Sequence, residues 1–334
     1  ETMTPEQSDL EPIDPTTARE LYLDHKQTEC AESTVYNHRF RLKPFFEWCE
    51  ENDIDDLNDL SGRDLQTYRL WRRETSDLKK VTMQNQLGTL RVFLKWAATI
   101  EAVPENLYDK LLIPSASPEE EQRDEMLEAE RAERILGYLD TFQYASNEHT
   151  LLALLWETGI RIGAVNSLDI ADVDFENGHL QLVHRPDEDT TLKNGQGGQR
   201  LVAMSSDLAK LLGDYIDVQR ADIEDEYGRQ PLLTTSTARM SRATMRRIIY
   251  KITAPCFFDE PCPECYDSSD KRCGDSVSPH SIRRGSITHY LSEDVPIDVV
   301  SDRMNVSRKT LKKHYDKRSE EVKVEQRRNY IEEV

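Results

Sequence analysis

Five side chains in four short segments of this chain form a set able to break a phosphodiester without a metal. Arg161 follows Thr158-Gly159-Ile160, and Lys193 lies in a glycine-rich turn. His280 and Arg283 sit three residues apart, and Tyr315 follows Lys313-His314. A guanidinium has fixed charge and a planar donor fork, so two arginines can grip the non-bridging oxygens of one phosphate. A tyrosine hydroxyl can then attack phosphorus while the other groups move protons. The phenol has a pKa of about 10 and attacks poorly until cations favour the phenolate or a base takes its proton.

Each residue also has an ordinary reading. An arginine after a glycine at a helix start is commonly a surface charge, a lysine in a turn is commonly solvated, and many helices carry a His/Arg pair at i, i+3 by chance. Order and context favour the chemical reading. Pro279 at a helix start would point His280 from the first turn into a cleft. Of the three tyrosines near the end of the chain, Tyr290 falls at a core position of a helix and Tyr330 in a terminal helix. Tyr315 is surrounded by Lys309, Lys312, Lys313, Lys317 and Arg318, where a phosphate backbone could come close.

The elements that must position this set are mostly helical. Apolar periodicity predicts helices over residues 34–49, 65–71 and 81–100, with Pro44 expected to kink or restart the first. Two prolines and an acidic run over residues 113–121 mark a break. The expected organisation is a helical domain over 1–113, an acidic linker over 114–125 and a second domain over 126–334. In the latter, helices are predicted at 126–139, 149–158 (ended by Gly159), 207–226, 240–252, 280–291, 297–304 and 309–315, with a last one to about 330. Residues 178–185 and 199–204 read as strands of a hairpin whose turn holds Lys193. The predicted class is therefore mostly α with a small antiparallel sheet (α+β).

A net charge of −20 argues, taken alone, against a nucleic-acid partner. Its distribution permits one. Residues 115–133 hold eight acids against two arginines, whereas 239–253 hold five basic residues and no acid, 301–330 ten against five, and 61–100 eight against three. Arg72, Arg73, Lys79, Lys80, Arg242, Arg246, Arg247 and Lys313 are the candidate DNA-binding residues. There is no apolar run of membrane-span length, and Glu1-Thr2-Met3-Thr4-Pro5 is polar, so a soluble, cytoplasmic protein is expected.

The segment from Glu157 through Arg161 to Leu168 resembles the first-arginine box of the tyrosine recombinase (phage integrase) family. His280-Ser281-Ile282-Arg283 with Gly285, His289 and Leu291 resembles its second box, and Lys313-His314-Tyr315 its nucleophile segment. The separation of 32 positions from Arg283 to Tyr315 suits the family, and the acidic background suits a haloarchaeal or archaeal-virus member. The resemblance covers the second half, and the helical first half fits a core-binding domain. It implies a C-shaped clamp on double-stranded DNA, four protomers per reaction, and a site-specific recombinase (integrase or resolvase) forming a 3′-phosphotyrosyl bond without ATP or a metal in the chemistry. Arg161 and Arg283 would hold the phosphate, Tyr315 would attack, His280 would assist proton transfer and Lys193 would protonate the leaving 5′-oxygen. Two departures stand out. Ala164 replaces the usual acid of the first box. Val306, nine residues before Tyr315, replaces a His or Trp phosphate donor, leaving Asn305 or His314 as substitutes or the site one donor short. A type IB topoisomerase or a non-catalytic DNA-binding regulator on the same fold are the rival readings.

Four of the six cysteines, Cys256, Cys262, Cys265 and Cys273, fall within eighteen residues. The two-residue gap between Cys262 and Cys265 suits one zinc bound by both thiolates, with the outer pair completing a structural four-thiolate site. A disulfide pairing and four free thiols are the alternatives, the first disfavoured by a reducing cytosol.

Overall fold

A computed structural model describes residues 10–117, 125–257 and 273–315, together with 321, 323–325 and 328. The chain divides into two compact units, Glu1–Arg123 and Asp124–Val334. The described part of the first is built on four helices, α1 (Pro15–Glu29), α2 (Glu32–Glu51), α3 (Gly62–Glu74) and α4 (Lys80–Thr99). Ser61 starts α3 with a capping box shared with Asp64, a device stabilising a helix start by about 1 kcal/mol. Pro44 does not interrupt α2. Its neighbours Phe45, Phe46 and Trp48 are all buried in one aromatic core with Tyr22, Tyr68 and Phe93, and that packing outweighs the roughly 3 kcal/mol cost of an internal proline.

The second unit contains α5 (Ala129–Phe142), α6 (Asn147–Thr158), α7 (Ile162–Ser167), a three-stranded antiparallel sheet, and α8 (Ser206–Asp214), α9 (Arg242–Ile252), α10 (Pro279–Ser292), α11 (Ile297–Met304) and α12 (Arg308–His314). The sheet runs β1 (Val173–Asp174), β2 (His179–Leu182), β3 (Arg200–Ala203), so the expected hairpin gains a short third strand, and its two strands are shorter than the sequence predicts. The helix expected over 207–226 is also shorter. After Asp214 it widens into a single π turn, Tyr215–Gln219, and the chain then leaves it. Asp225 accepts the backbone N–H groups of Tyr227 and Arg229, and its carboxylate pairs with Arg229 and Arg239, so a turn bonded by its own side chain displaces helix there. The linker residues 118–124 and most of the predicted last helix lie outside the described residues.

Helix α6 is buried on nearly every side and packs against α5, α8, α9 and α10. It ends at Gly159, whose φ of 58° is left-handed, as a glycine stop requires. Helix α10 lies so close to the chain at Leu127 that a Cβ on Gly285 would overlap the Leu127 carbonyl oxygen. Gly137, in contrast, has nothing within 4 Å of where its Cβ would be, on an exposed helix interior. Gly285→Ala is therefore expected to lower stability by about 1–3 kcal/mol through overpacking, whereas Gly137→Ala should raise it by about 0.5–1 kcal/mol. Urea denaturation of the two variants checks the pair; equal effects would refute this account of the α10 contact.

Candidate active site

Each member of the set is presented by a break or an end of a helix. Arg161 is the N-cap of α7, two residues after α6 stops at Gly159. Its side chain makes no capping bond and so is released from the helix it begins. Ser278 caps α10 by accepting the Ser281 N–H, and Pro279 opens its first turn. This places His280 in that turn, exposed, and Arg283 one turn deeper at 1% exposure. Tyr315 ends α12, 7% exposed, packed into a small apolar cluster with Ile287, Leu291, Val300, Met304 and Leu311. Lys193 is exposed in the turn between β2 and β3.

Successive carbonyls at the C-terminus of α11 organise the arginines. Arg303 O accepts from Arg200 Nε at 2.8 Å, Met304 O from Arg283 Nη2 at 2.7 Å, and Asn305 O from Arg161 Nη1 at 3.4 Å. Arg283 also donates Nη1 to Gly159 O at 2.5 Å, so it joins the C-terminal ends of α6 and α11. Those ends carry carbonyls with no partner inside the helix and the negative end of the helix dipole, which together offset the cost of a buried cation. The approach is tight: a Cβ on Gly159 would stand 2.6 Å from Met304 Sδ. Arg303 in turn donates to Ala203 O and Glu157 O. Among the described residues, none of Arg161, Arg200, Arg283 and Arg303 makes an ion pair with a carboxylate.

Electrostatics follow from that crowding. Burial, then the Arg161 charge, pushes Arg283 down to about 10, with Tyr315, within hydrogen-bonding range, acting in the opposite sense; the guanidinium stays charged at neutral pH. Burial, then Arg161 and Arg303, lowers Arg200 to about 10 as well. The His280 imidazole falls to about 4, first because the surrounding protein keeps water from much of it, then because Arg283, Arg284, Arg161 and Lys193 repel a further positive charge. His280 is neutral at pH 7 and able to accept a proton. Its ring lies 6.4 Å from that of Tyr315, edge to face, and the Arg284 guanidinium stands 5.8 Å from the Tyr315 ring centre.

All five residues singled out in the sequence thus share one region. Ala164 is buried in α7, and Val306 packs into the Tyr315 cluster, its carbonyl accepting the Ser301 hydroxyl at 2.8 Å. Val306 cannot donate to a phosphate. Nor is the Asn305 amide directed at one, because its Nδ2 is bonded to Gly197 O at 2.9 Å. The His314 side chain lies outside the described residues. Arg200 went unnoticed in the sequence, where Leu201 and Val202 are both apolar and do not show which face of β3 is buried; the structure puts Arg200 on the same side as buried Val202 and opposite exposed Leu201, an unusual place for a charge.

Of the candidate DNA-binding residues, Arg73, Lys79, Lys80, Arg242, Arg246, Arg247 and Lys313 are exposed. Arg72 is half-buried, donating to Gln86 Oε1 at 3.0 Å and Ser76 Oγ at 2.5 Å, so it holds α3 to α4. Arg239, in the same basic run as Arg242, is bound to Asp169 and Asp225. Cys256 and Cys273 are half-buried and form no disulfide among the described residues, while Cys262 and Cys265 lie outside them. No group of three or more His, Cys, Asp or Glu among the described residues is placed to hold a metal, and no helix among them is long and apolar enough to cross a membrane.

A depressed imidazole has a definite sign. Above pH 6.5 the neutral ring costs the fold nothing; as pH falls through 6.5 towards 4 the unfolded chain takes up the proton first and stability declines. In ligand-free protein the His280 ring resonance is expected to titrate well below 6.5, and to move upward in Arg161→Ala and Lys193→Ala. An NMR midpoint near 6.5 unaffected by either substitution would contradict the charge cluster.

The Phage integrase family profile matches residues 125–321, and the phage integrase N-terminal SAM-like domain profile matches residues 20–99. A tyrosine recombinase of Pseudothermotoga lettingae is 24% identical over 284 residues, 84% of this chain and 85% of that protein. A probable integrase/recombinase protein of Methanocaldococcus jannaschii is 21% identical over 273 residues, 81% of this chain and 76% of that one. Among solved structures, the Tn1549 transposon integrase in complex with transposon right end DNA has the same fold, with a TM-score of 0.66 at 16% identity over 95% of this chain and 99% of that one. The catalytic-domain profile alone spans more than half of the sequence, and the chain belongs to the phage integrase family of tyrosine recombinases.

Proposed function

We propose that this protein is a site-specific DNA recombinase, an integrase or resolvase, that cuts and rejoins double-stranded DNA through a 3′-phosphotyrosyl bond. One observation carries the reading. Arginines anchored on backbone carbonyls converge beside Tyr315 with their charge unmatched by any described carboxylate, a site that an anion completes. Arg161 and Arg283 hold the non-bridging oxygens of the scissile phosphate. The Tyr315 oxygen bonds to phosphorus, the bond from phosphorus to the 5′-oxygen breaks, the phenol proton passes to neutral His280, and Lys193 gives a proton to the 5′-oxygen. Rejoining reverses each transfer. The energy of the broken ester is kept in the phosphotyrosine, and the chain's own cations neutralise the transition state, so the reading requires neither ATP nor a metal.

Within this reading residues 1–113 and 126–334 are the two halves of a DNA clamp joined by the acidic linker 114–125. Arg73, Lys79, Lys80, Arg242, Arg246, Arg247 and Lys313 meet the phosphate backbone, four protomers act together, and the protein works in the cytoplasm. Family membership disfavours the topoisomerase and regulator readings. On a nicked suicide duplex carrying the recombination site, the wild type is expected to form a covalent adduct that Tyr315→Phe cannot form. Arg161→Ala should slow adduct formation by about 10²–10³-fold, the usual effect of losing one transition-state donor. An adduct retained by Tyr315→Phe, or none from the wild type on its own site, would overturn the proposal.

The spacing of Cys256, Cys262, Cys265 and Cys273 supports a structural zinc in addition. Metal analysis is expected to find one zinc per chain, lost in Cys262→Ser. Metal content unchanged in that variant would contradict a four-cysteine site.

A further inference from the structure

We propose that Asn305 is a positioning residue that clasps the Lys193 turn to the helix end carrying the arginines; this rests on the proton-donor role given above to Lys193. The turn from Lys193 to Gly198 contains glycines at 195, 197 and 198, so it loses much conformational entropy on being held in one shape. Its base is fixed by buried Leu192, yet Lys193 itself is exposed. Something must hold the tip. Asn305 reaches it from more than a hundred residues away with both ends of its amide. Nδ2 donates to Gly197 O at 2.9 Å, and Oδ1 accepts from Asn194 Nδ2 at 3.0 Å. The same residue's carbonyl accepts from Arg161. One residue thereby links the turn of the proposed proton donor to a proposed phosphate-holding arginine.

The chemistry of the clasp selects asparagine. Asn305 ends α11 with φ 47° and ψ 64°, the left-handed region that asparagine tolerates better than most residues, and that backbone turn carries its side chain away from the helix. An aspartate would lose the donor to Gly197 O, and a serine is too short to meet two partners. Arg200 lies alongside as a second strap, with Nη1 on Gly198 O at 2.9 Å and Nε on Arg303 O at 2.8 Å. Asn305 is therefore not the substitute for the phosphate donor missing at Val306. It acts on the leaving group through Lys193.

Asn305→Gly separates the clasp from the backbone, since glycine accepts the same φ without strain while both side-chain bonds vanish. The readout is adduct formation on a suicide duplex bearing the ordinary 5′-oxygen at the scissile phosphate, against one bearing 5′-sulfur. A thiol has a pKa of about 8.5, so a thiolate departs without a proton donor. Asn305→Gly is expected to cut the oxygen substrate about 10–10²-fold more slowly than wild type and the sulfur substrate at a rate within about threefold of it, a part of the 10²–10⁴-fold that general acid catalysis supplies. Equilibrium binding of the duplex should remain within about twofold. Lys193→Ala should show the same pattern with a larger loss, and Arg161→Ala should be slow on both substrates. Asn305→Gly slowed equally on both, or on neither, while Lys193→Ala is rescued by sulfur, would overturn the clasp alone. Lys193→Ala slowed equally on both would overturn the proton-donor assignment, and the clasp with it.

Discussion

The site hangs on the C-terminus of one short helix. In any α-helix the last carbonyls have no partner within it, and in α11 three successive ones, of Arg303, Met304 and Asn305, are taken by Arg200, Arg283 and Arg161. A guanidinium at 1% exposure would ordinarily be costly, yet Arg283 lies between the negative ends of α6 and α11 with a carbonyl from each. That contact sets much of what surrounds it. It requires glycine at 159, because α11 presses Met304 against it, and the same end of α6 gives up Trp156 O to Ser286 and Glu157 O to Tyr290. Helix α10 is thus locked at the angle that leaves His280 at the surface above its own buried Arg283.

Anchoring arginines on carbonyls differs in kind from anchoring them on carboxylates, and the same domain does both. Arg185, Arg229 and Arg239 are matched by Asp169, Asp172 and Asp225, and that network is a structural one with its charge cancelled. The Arg161–Arg283 group keeps its charge and adds to the burial that drives the nearby imidazole to the neutral form. A chain with a net charge of −20 can still present a strongly cationic site, because at physiological salt charges beyond about 8 Å are largely screened from one another. Local arrangement decides what is attracted there, and the total does not.

How much of this was legible beforehand varied with the range of the interaction. Arg161, His280, Arg283 and Tyr315 were readable because each sits in a short segment whose helix punctuation, Gly159 and Pro279 above all, is local. The small sheet and its lysine turn were readable for the same reason. Arg200 and Asn305 were not, since their partners are about a hundred or more residues away and neither segment hints at the other. Tertiary contacts overrode local preference at Pro44, where an aromatic core holds the helix through a proline, and at Asp225, where an ion network and a turn replace the helix that periodicity suggests. Val306 cannot donate, and of the three alternatives that the sequence leaves open there, Asn305, His314 or a site one donor short, the first is disfavoured because the Asn305 amide is already bonded to Gly197.

The most direct test is to locate the covalent bond. Protein trapped on a nicked duplex can be digested and the nucleotide-bearing peptide sequenced by mass spectrometry. The account expects a single modified residue, Tyr315, joined to the 3′-phosphate of the cut strand. A nucleotide on Tyr290, Tyr330 or any other residue, or a bond to a 5′-phosphate, would contradict it.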